Sequence, residues 1–205
     1  MSERYRSALL FGSPGVGKGT QGRLIGQIPG FYHMASGDIF RSLDKESEIG
    51  QKFQEYSSKG LLVPDELTID MWRGFVEEKI AEGAYSPDRD LLLLDGLPRS
   101  VAQAHMMAEN VEVLSIIHIK APNIDMLVNR MKLRAEREGR IDDADEAVIR
   151  RRFEVYEAET SPVLNEYDLA RVTHVHATGT PAEVLLRILE SLVPIYCSTF
   201  TNPLD

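Results

Sequence analysis

The chain is short of cysteine, long apolar runs and positive charge, and each shortage removes a class of protein. Cys197 is the single cysteine among 205 residues, so no internal disulfide can form and no cysteine-rich zinc site can be built. No apolar run approaches the ~20 residues of a membrane span. The segment Met1 to Arg6 is too short and too polar for a secretory signal, so a membrane-free, cytoplasmic location is expected. Lys and Arg number 23 against 32 Asp and Glu, a net charge of -9, which argues against non-specific nucleic-acid binding. Internal repeats and low-complexity tracts are absent.

What is present suits one globular domain. With 43% hydrophobic residues the chain can bury a sizeable core and still carry small inserted lobes. Five short apolar runs (Ser7 to Phe11, Tyr32 to Ala35, Leu91 to Leu94, Leu114 to Ile119, Val172 to Ala177) alternate with helical segments, the pattern of an α/β fold with a parallel sheet. Thr180, Pro181 and Glu183 form a capping box before Val184-Leu185-Leu186 and predict a last helix that closes the core. Two stretches are too polar for core elements and read as mobile lobes. One is Ser36 to Asp65, with helical pieces over Leu43 to Gln51 and Lys52 to Lys59 and an extended Leu61-Leu62-Val63-Pro64. The other is Arg134 to Glu146, with Gly139 its clear turn residue. The tail from Tyr196 to Asp205 reads as loosely held.

The most specific local signal is Gly12-Ser13-Pro14-Gly15-Val16-Gly17-Lys18-Gly19-Thr20-Gln21, placed between the first apolar run and a helical pattern. Strand, glycine loop and helix start present backbone N–H groups at the positive end of a helix dipole, where polyphosphate is held without side-chain bulk. Lys18 would reach the outer phosphates. The general phosphate-loop pattern has a hydroxyl directly after the lysine, yet here Gly19 stands in that place and Thr20 follows it. Either Thr20 meets magnesium from a shifted position or the metal is held largely through water and phosphate.

An anionic ligand on an acidic protein needs local positive charge. The stretch from Arg130 to Arg152 supplies it, with eight Lys and Arg against six Asp and Glu. Arg130 and Arg134 are four apart, so on a helix they project from one face as a forked pair suited to phosphate oxygens. Arg137, Glu136 and Glu138 read instead as a solvated helix face. Leu91 to Leu94 is a buried strand ending in Asp95, a carboxylate at the sheet edge beside the glycine loop and a candidate magnesium organiser, or else the initiator of a turn at Gly96. Arg99 and Gln103 follow close to that edge. The five histidines lack ligand spacing and read as structural or surface residues. Trp72, with Leu67, Met71 and Phe75, reads as core, and Tyr156 as a packing residue.

Six motifs in order resemble the nucleoside monophosphate kinases, and within them the adenylate kinase family. They are Gly12 to Gln21, Ser36-Gly37-Asp38-Ile39-Phe40-Arg41, Gly60-Leu61-Leu62-Val63-Pro64-Asp65, Asp95-Gly96-Leu97-Pro98-Arg99, the Arg130 and Arg134 pair, and Gly139-Arg140-Ile141-Asp142-Asp143 followed by Arg152 and Tyr156. The resemblance spans nearly the whole chain. It implies a three-layer P-loop fold with a five-stranded parallel sheet, a core over 1–35, 66–134 and 147–205, an AMP-binding lobe over 36–65 and a short lid over 135–146. For the donor ATP it implies Gly12, Pro14, Gly15, Val16, Gly17, Lys18, Gly19, Thr20, Arg130 and Arg134, with Gly179 and Thr180 near the base. For AMP it implies Ser36, Arg41, Leu62, Val63, Gly96, Arg99, Gln103, Arg140 and Arg152, with Gln103 reading the adenine edge through an amide that both donates and accepts. Lys18, Arg99, Arg134, Arg140 and Arg152 would surround the transferring phosphoryl group. Asp95 would order the water shell of Mg2+, and Asp142 with Asp143 would hold the closed lid.

The implied reaction is reversible phosphoryl transfer from MgATP to AMP giving two ADP, in a monomer without zinc. Three positions depart from the family's commonest pattern. Ser36 stands for threonine, Leu97 stands for phenylalanine, and one extra residue between Asp143 and Arg152 leaves the alignment of Arg150, Arg151 and Arg152 ambiguous by one. Arg152 is chosen from its four-residue spacing to Tyr156. A UMP/CMP kinase and a nucleotide-gated binding module without turnover are the alternatives. GTP as donor also stays open.

Overall fold

Strand β3 (Leu91–Asp95) is apolar at four of its five positions and buried throughout, as a strand covered on both faces must be. It sits inside a five-stranded parallel sheet of order β2-β3-β1-β4-β5. The others are β1 (Tyr5–Phe11), β2 (Phe31–Ala35), β4 (Val111–Lys120) and β5 (Val172–His176). The computed structural model describes residues 4–139, 143 and 145–197.

The two-residue period of β1 divides the core. Ala8 and Leu10 face one side with Ile25, Met131, Ile149, Phe153, Ile188 and Leu192. Leu9 and Phe11 face the other with Ile69, Trp72, Val76, Ala104 and Val163. The first layer is built by α1 (Lys18–Ile25), α6 (Ile124–Glu138), α7 (Glu146–Val155) and α8 (Pro181–Cys197); the second uses α4 (Asp65–Ala81) and α5 (Val101–Met107). Each fully buried large aliphatic side chain contributes roughly 1.5–3 kcal/mol. Trp72 is 1% exposed and meets the Tyr5 ring edge-on, so it is core.

Several elements differ from the sequence reading. β4 starts at Val111, three residues before the apolar run at Leu114, because Tyr5 to Ser7 pair with Val111 to Val113 before the register shifts and Ala8 pairs with Ser115. The extra residue shifts the alternation by one, so that Val111, Val113 and then Ile116 face the same side, and Glu112 hides the start of the strand from a hydrophobic scan. In 36–65 the helices are α2 (Ser36–Arg41) and α3 (Glu48–Ser58), the latter continuous where two pieces were expected. Ser47 sets the boundary by accepting from the Gly50 N–H at 3.0 Å, an N-cap placed one turn inside the expected first piece. Ile39 reaches the core, whereas α3 buries only Gly50. The polar stretch from Arg134 is helical as far as Glu138, where Gly139 ends α6 in the left-handed conformation with φ 62°.

The expected capping box opens α8: the Glu183 carboxylate accepts from the Thr180 N–H at 2.6 Å, and the Thr180 hydroxyl accepts from the Glu183 N–H at 3.3 Å. Tyr196, placed with the loose tail, is instead fastened. Its ring stacks on Phe31 at 4.6 Å and its hydroxyl donates to the Pro29 carbonyl at 2.7 Å. The rest of the tail from residue 198 lies outside the described residues.

Candidate active site

All five strands point their C-terminal ends the same way, so the segments that follow β1, β2 and β3 gather at one edge of the sheet. After β1 comes the glycine loop, with Gly17 at the N-cap of α1 and Lys18 its first helical residue. Gly12 has φ 143°, and a Cβ there would lie 2.4 Å from the Ile119 carbonyl oxygen; no side chain fits between loop and β4. The Lys18 ammonium folds back onto the loop, donating to the carbonyls of Gly12 at 2.5 Å and Ser13 at 3.2 Å. Burial lowers its pKa to about 8, with the arginines around it adding to the fall and Asp95 opposing it.

Asp95 ends β3 and is buried. Burial works to raise its carboxyl, but the His33 ring, the Lys18 ammonium and the Arg99 guanidinium outweigh this and hold it below its usual range. His33 Nε2 lies 3.5 Å from Asp95 Oδ2. That is a contact of charges and dipoles rather than a formed hydrogen bond. The sequence reading missed this pairing because His33 and Asp95 are far apart in the chain and meet only through the β2–β3 register, in which Ala35 pairs with Asp95.

Two pockets open at this edge and share a cationic seam. The first is lined by Ser36, Phe40, Leu61, Leu62, Val63, Thr68, Gly96, Gln103 and Tyr156, together with Gly12. The second is lined by Gly15 to Gln21, Asp95, Arg130, Leu133, Arg134, Arg137, Glu138, Gly179 and Pro181. Pro14, Lys18, Gly37, Arg41, Arg99 and Arg152 line both. In the first pocket the Ser36 hydroxyl donates to the Gly96 carbonyl at 2.8 Å and accepts from Arg99 Nη2 at 3.1 Å, while Arg99 Nε donates to the same carbonyl at 2.9 Å. Gly96 has φ 76°, and a Cβ there would stand 2.7 Å from the Ser36 hydroxyl, so this meeting of strand end, serine and arginine requires glycine.

Asp143 crosses between the two cationic helices. It is fully buried; Oδ2 accepts from Arg134 Nε at 2.9 Å and Nη2 at 2.5 Å, and Oδ1 accepts from Arg152. One carboxylate thus holds an arginine from α6 and one from α7. Of the three consecutive arginines, Arg150 pairs with Glu146 and Arg151 with Glu154, leaving Arg152 the one that lines the pockets. Arg140 and Asp142 lie outside the described residues.

The structure places several of the sequence-named residues. Gly12 lines the first pocket rather than the second. Thr180 is engaged in the α8 cap, and its neighbours Gly179 and Pro181 line the second pocket. Arg137 and Glu138 are exposed, as a solvated face should be, and they also line that pocket with Leu133, which is 52% exposed. An apolar side chain inside the Arg130–Arg137 basic stripe was the available signal for Leu133. Tyr156 is buried as expected, begins a π-helical turn over Tyr156–Thr160, and brings its hydroxyl within 3.4 Å of His118 Nε2. Burial, followed by Lys120 and His174, lowers the His118 pKa to about 4, so the ring is neutral near pH 7.

A parallel sheet of this order, a glycine loop opening α1 and two pockets joined by arginines define a P-loop nucleotide-phosphate-binding protein. The model of the adenylate kinase family matches residues 10–172. Similar proteins named adenylate kinase occur in Flavobacterium psychrophilum (35% identical, covering 89% of this chain and 95% of the relative), Kocuria rhizophila (36%, 90% and 97%) and Thermus thermophilus (34%, 91% and 97%). The chain belongs to the adenylate kinase family. No helix among the described residues is long and apolar enough to cross a membrane, and no group of three or more His, Cys, Asp or Glu side chains among them could hold a metal ion.

Proposed function

We propose that the second pocket takes ATP, that the first takes AMP, and that the seam between them carries the phosphoryl group from one to the other, reversibly, to give two ADP. The observation that carries this reading is the shared lining: Lys18, Arg41, Arg99 and Arg152 face both pockets. Two phosphate chains meeting there would find their repulsion compensated by fixed cations. Arg41 and Arg99 clamp the AMP phosphate, Gln103 reads the adenine edge, and Leu62 and Val63 wall it. Arg130 stacks on or beside the donor base near Leu133 and Gly179, and Arg134 with Arg152 takes charge from the transferring group. Arg140 joins them on lid closure.

No general base is needed, because the attacking phosphate oxygen of a nucleoside monophosphate is already anionic near neutral pH. What remains is alignment and charge compensation of a loose transition state whose equatorial oxygens carry the negative charge. Closure of 36–65 and 135–146 excludes water, which would otherwise accept the phosphoryl group. Asp143 holds Arg134 and Arg152 together, which keeps both guanidiniums at the seam.

Magnesium fits the residues on the donor side. It keeps most of its ligands as water and phosphate oxygen and takes few from protein, and Asp95 is a buried carboxylate kept ionised in the pocket that Thr20 also lines. When bound, the ion would neutralise charge on the outer phosphates, with Asp95 ordering its water and Thr20 within the same shell. Zinc has no part in this reading. We place the working enzyme in the cytoplasm as a monomer.

A coupled assay with MgATP and each of AMP, CMP, UMP and GMP tests the reading. ADP formation from AMP is expected; its absence would sink the proposal, and preference for UMP or CMP would transfer it to a pyrimidine acceptor. Donor binding should also depend on the Lys18 proton. With a pKa of about 8 in the free protein, the ammonium is mostly charged at pH 7 and mostly neutral at pH 9, and bound phosphate restores the proton. ATP affinity measured by calorimetry is therefore expected to weaken about tenfold from pH 7 to pH 9, with proton uptake on binding at the higher pH. A flat profile without proton uptake would show that Lys18 does not meet the donor phosphates.

A further inference from the structure

Gln103 is held at both ends of its side-chain amide by other residues of the chain. Its Oε1 accepts from the Arg99 backbone N–H at 2.7 Å, and its Nε2 donates to Asp65 Oδ1 at 2.8 Å. Ser100 closes the ring. Its hydroxyl donates to that same Asp65 oxygen at 2.9 Å and accepts from the Gln103 backbone N–H at 3.1 Å. Gln103 is 1% exposed, so neither end of the amide can turn to bulk water. A backbone N–H only donates and a carboxylate only accepts, which leaves one orientation of the amide. Turned by 180°, Oε1 would face the carboxylate and the NH2 group would face a donor, with both hydrogen bonds lost in a buried place.

We infer that Asp65 is a positioning residue that sets the acceptor-base preference, by fixing which end of the Gln103 amide accepts and which donates into the first pocket. The inference rests on the reading of Gln103 as the base reader. Asp65 opens α4, directly after the Leu61-Leu62-Val63-Pro64 segment that walls the same pocket, so wall and orienting carboxylate are neighbours in the chain. Arg99 uses one lone pair of Oε1 and Asp65 one hydrogen of Nε2. One acceptor site and one donor hydrogen remain, side by side and in fixed order. A base that carries an amino group beside a bare ring nitrogen, as adenine and cytosine do, meets both. A base that carries a carbonyl beside a ring N–H, as guanine and uracil do, sets acceptor against acceptor and donor against donor. Asp65 thereby sorts amino bases from oxo bases and leaves purine against pyrimidine to the pocket walls.

The test compares kcat and KM for AMP, GMP, CMP and UMP in Asp65→Asn, Asp65→Ala and Gln103→Ala, with thermal unfolding of each variant. Asn keeps the shape of Asp65 but can donate as well as accept, so from its side it tolerates either orientation of Gln103; Ala removes the constraint from that side, and in both variants the Arg99 N–H is the one constraint of the pair that is kept. For both Asp65 variants the kcat/KM ratios AMP:GMP and CMP:UMP are expected to fall together by about tenfold. The change should appear mainly in KM, with AMP:CMP little altered. A uniform loss across all four monophosphates would overturn the inference, because a purely structural role moves them together. If Gln103→Ala collapses AMP:GMP while both Asp65 variants keep the wild-type ratio, the inference alone fails. If Gln103→Ala leaves that ratio unchanged, Gln103 is not the base reader and both readings fall.

Discussion

Lys18→Met is expected to lower kcat by about 10²- to 10³-fold while leaving the protein folded and at least as stable near neutral pH. The size follows from removing one preorganised charge that faces developing negative charge in a water-excluded site. Methionine keeps the unbranched length of the stem and loses the ammonium, which rests on the carbonyls of Gly12 and Ser13. The stability arm has a definite sign. Burial lowers the Lys18 pKa from 10.5 to about 8, so between those values the unfolded chain binds the proton that the folded chain has released. Wild-type stability should therefore gain from this group as pH rises from about 8 to about 10.5. Urea denaturation of wild type and Lys18→Met at pH 7 and pH 10 should show that gain in the wild type and not in the variant. Unchanged turnover would mean that Lys18 faces no transferring phosphate.

Arg99→Ala should cost about as much, but in kcat/KM for the acceptor, with a fall of about 10²- to 10³-fold. Its guanidinium joins the end of β3 to Ser36 through Gly96 and lines both pockets. The substitution spares the Arg99 backbone N–H that holds Gln103 and the Arg99 carbonyl that accepts from Thr160 at 2.7 Å. Base preference should thus survive while affinity is lost for every monophosphate alike, since phosphate is common to all of them. This is the converse of the pattern expected for Asp65→Asn. A selective loss for AMP would show that Arg99 acts through the base and not through phosphate.

Much of the architecture was legible because apolar runs and glycines are local signals. β3 and the capping box of α8 could be placed from their own residues, since a strand buried on both faces must be apolar and a helix start must satisfy its N–H groups. The start of β4 was not legible, because a register shift beside Ser7 exists only between two strands. The break before α3 was missed because Ser47 is one polar residue among many, and its capping bond distinguishes it only once the helix is formed. Motif spacing named most of the residues that line the two pockets. It left out Leu133, an apolar residue among arginines, and it gave Asp65 only as the end of a motif, because the hydrogen bonds that single Asp65 out come from Ser100 and Gln103, far away in the chain.

By itself the sequence determined the phosphate loop, the parallel α/β fold and the family, because these depend on residue order: glycines where backbone must approach a ligand, apolar runs where strands are covered, arginines at helical spacing. Tertiary structure decided what those residues face. It set His33 against Asp95 through the β2–β3 register and bound Arg134 to Arg152 through the fully buried Asp143. It also turned the Gln103 amide one way between Arg99 and Asp65. Those relations depend on the distance and direction of a hydrogen bond between residues far apart in the chain, and only the folded sheet edge brings such groups within reach.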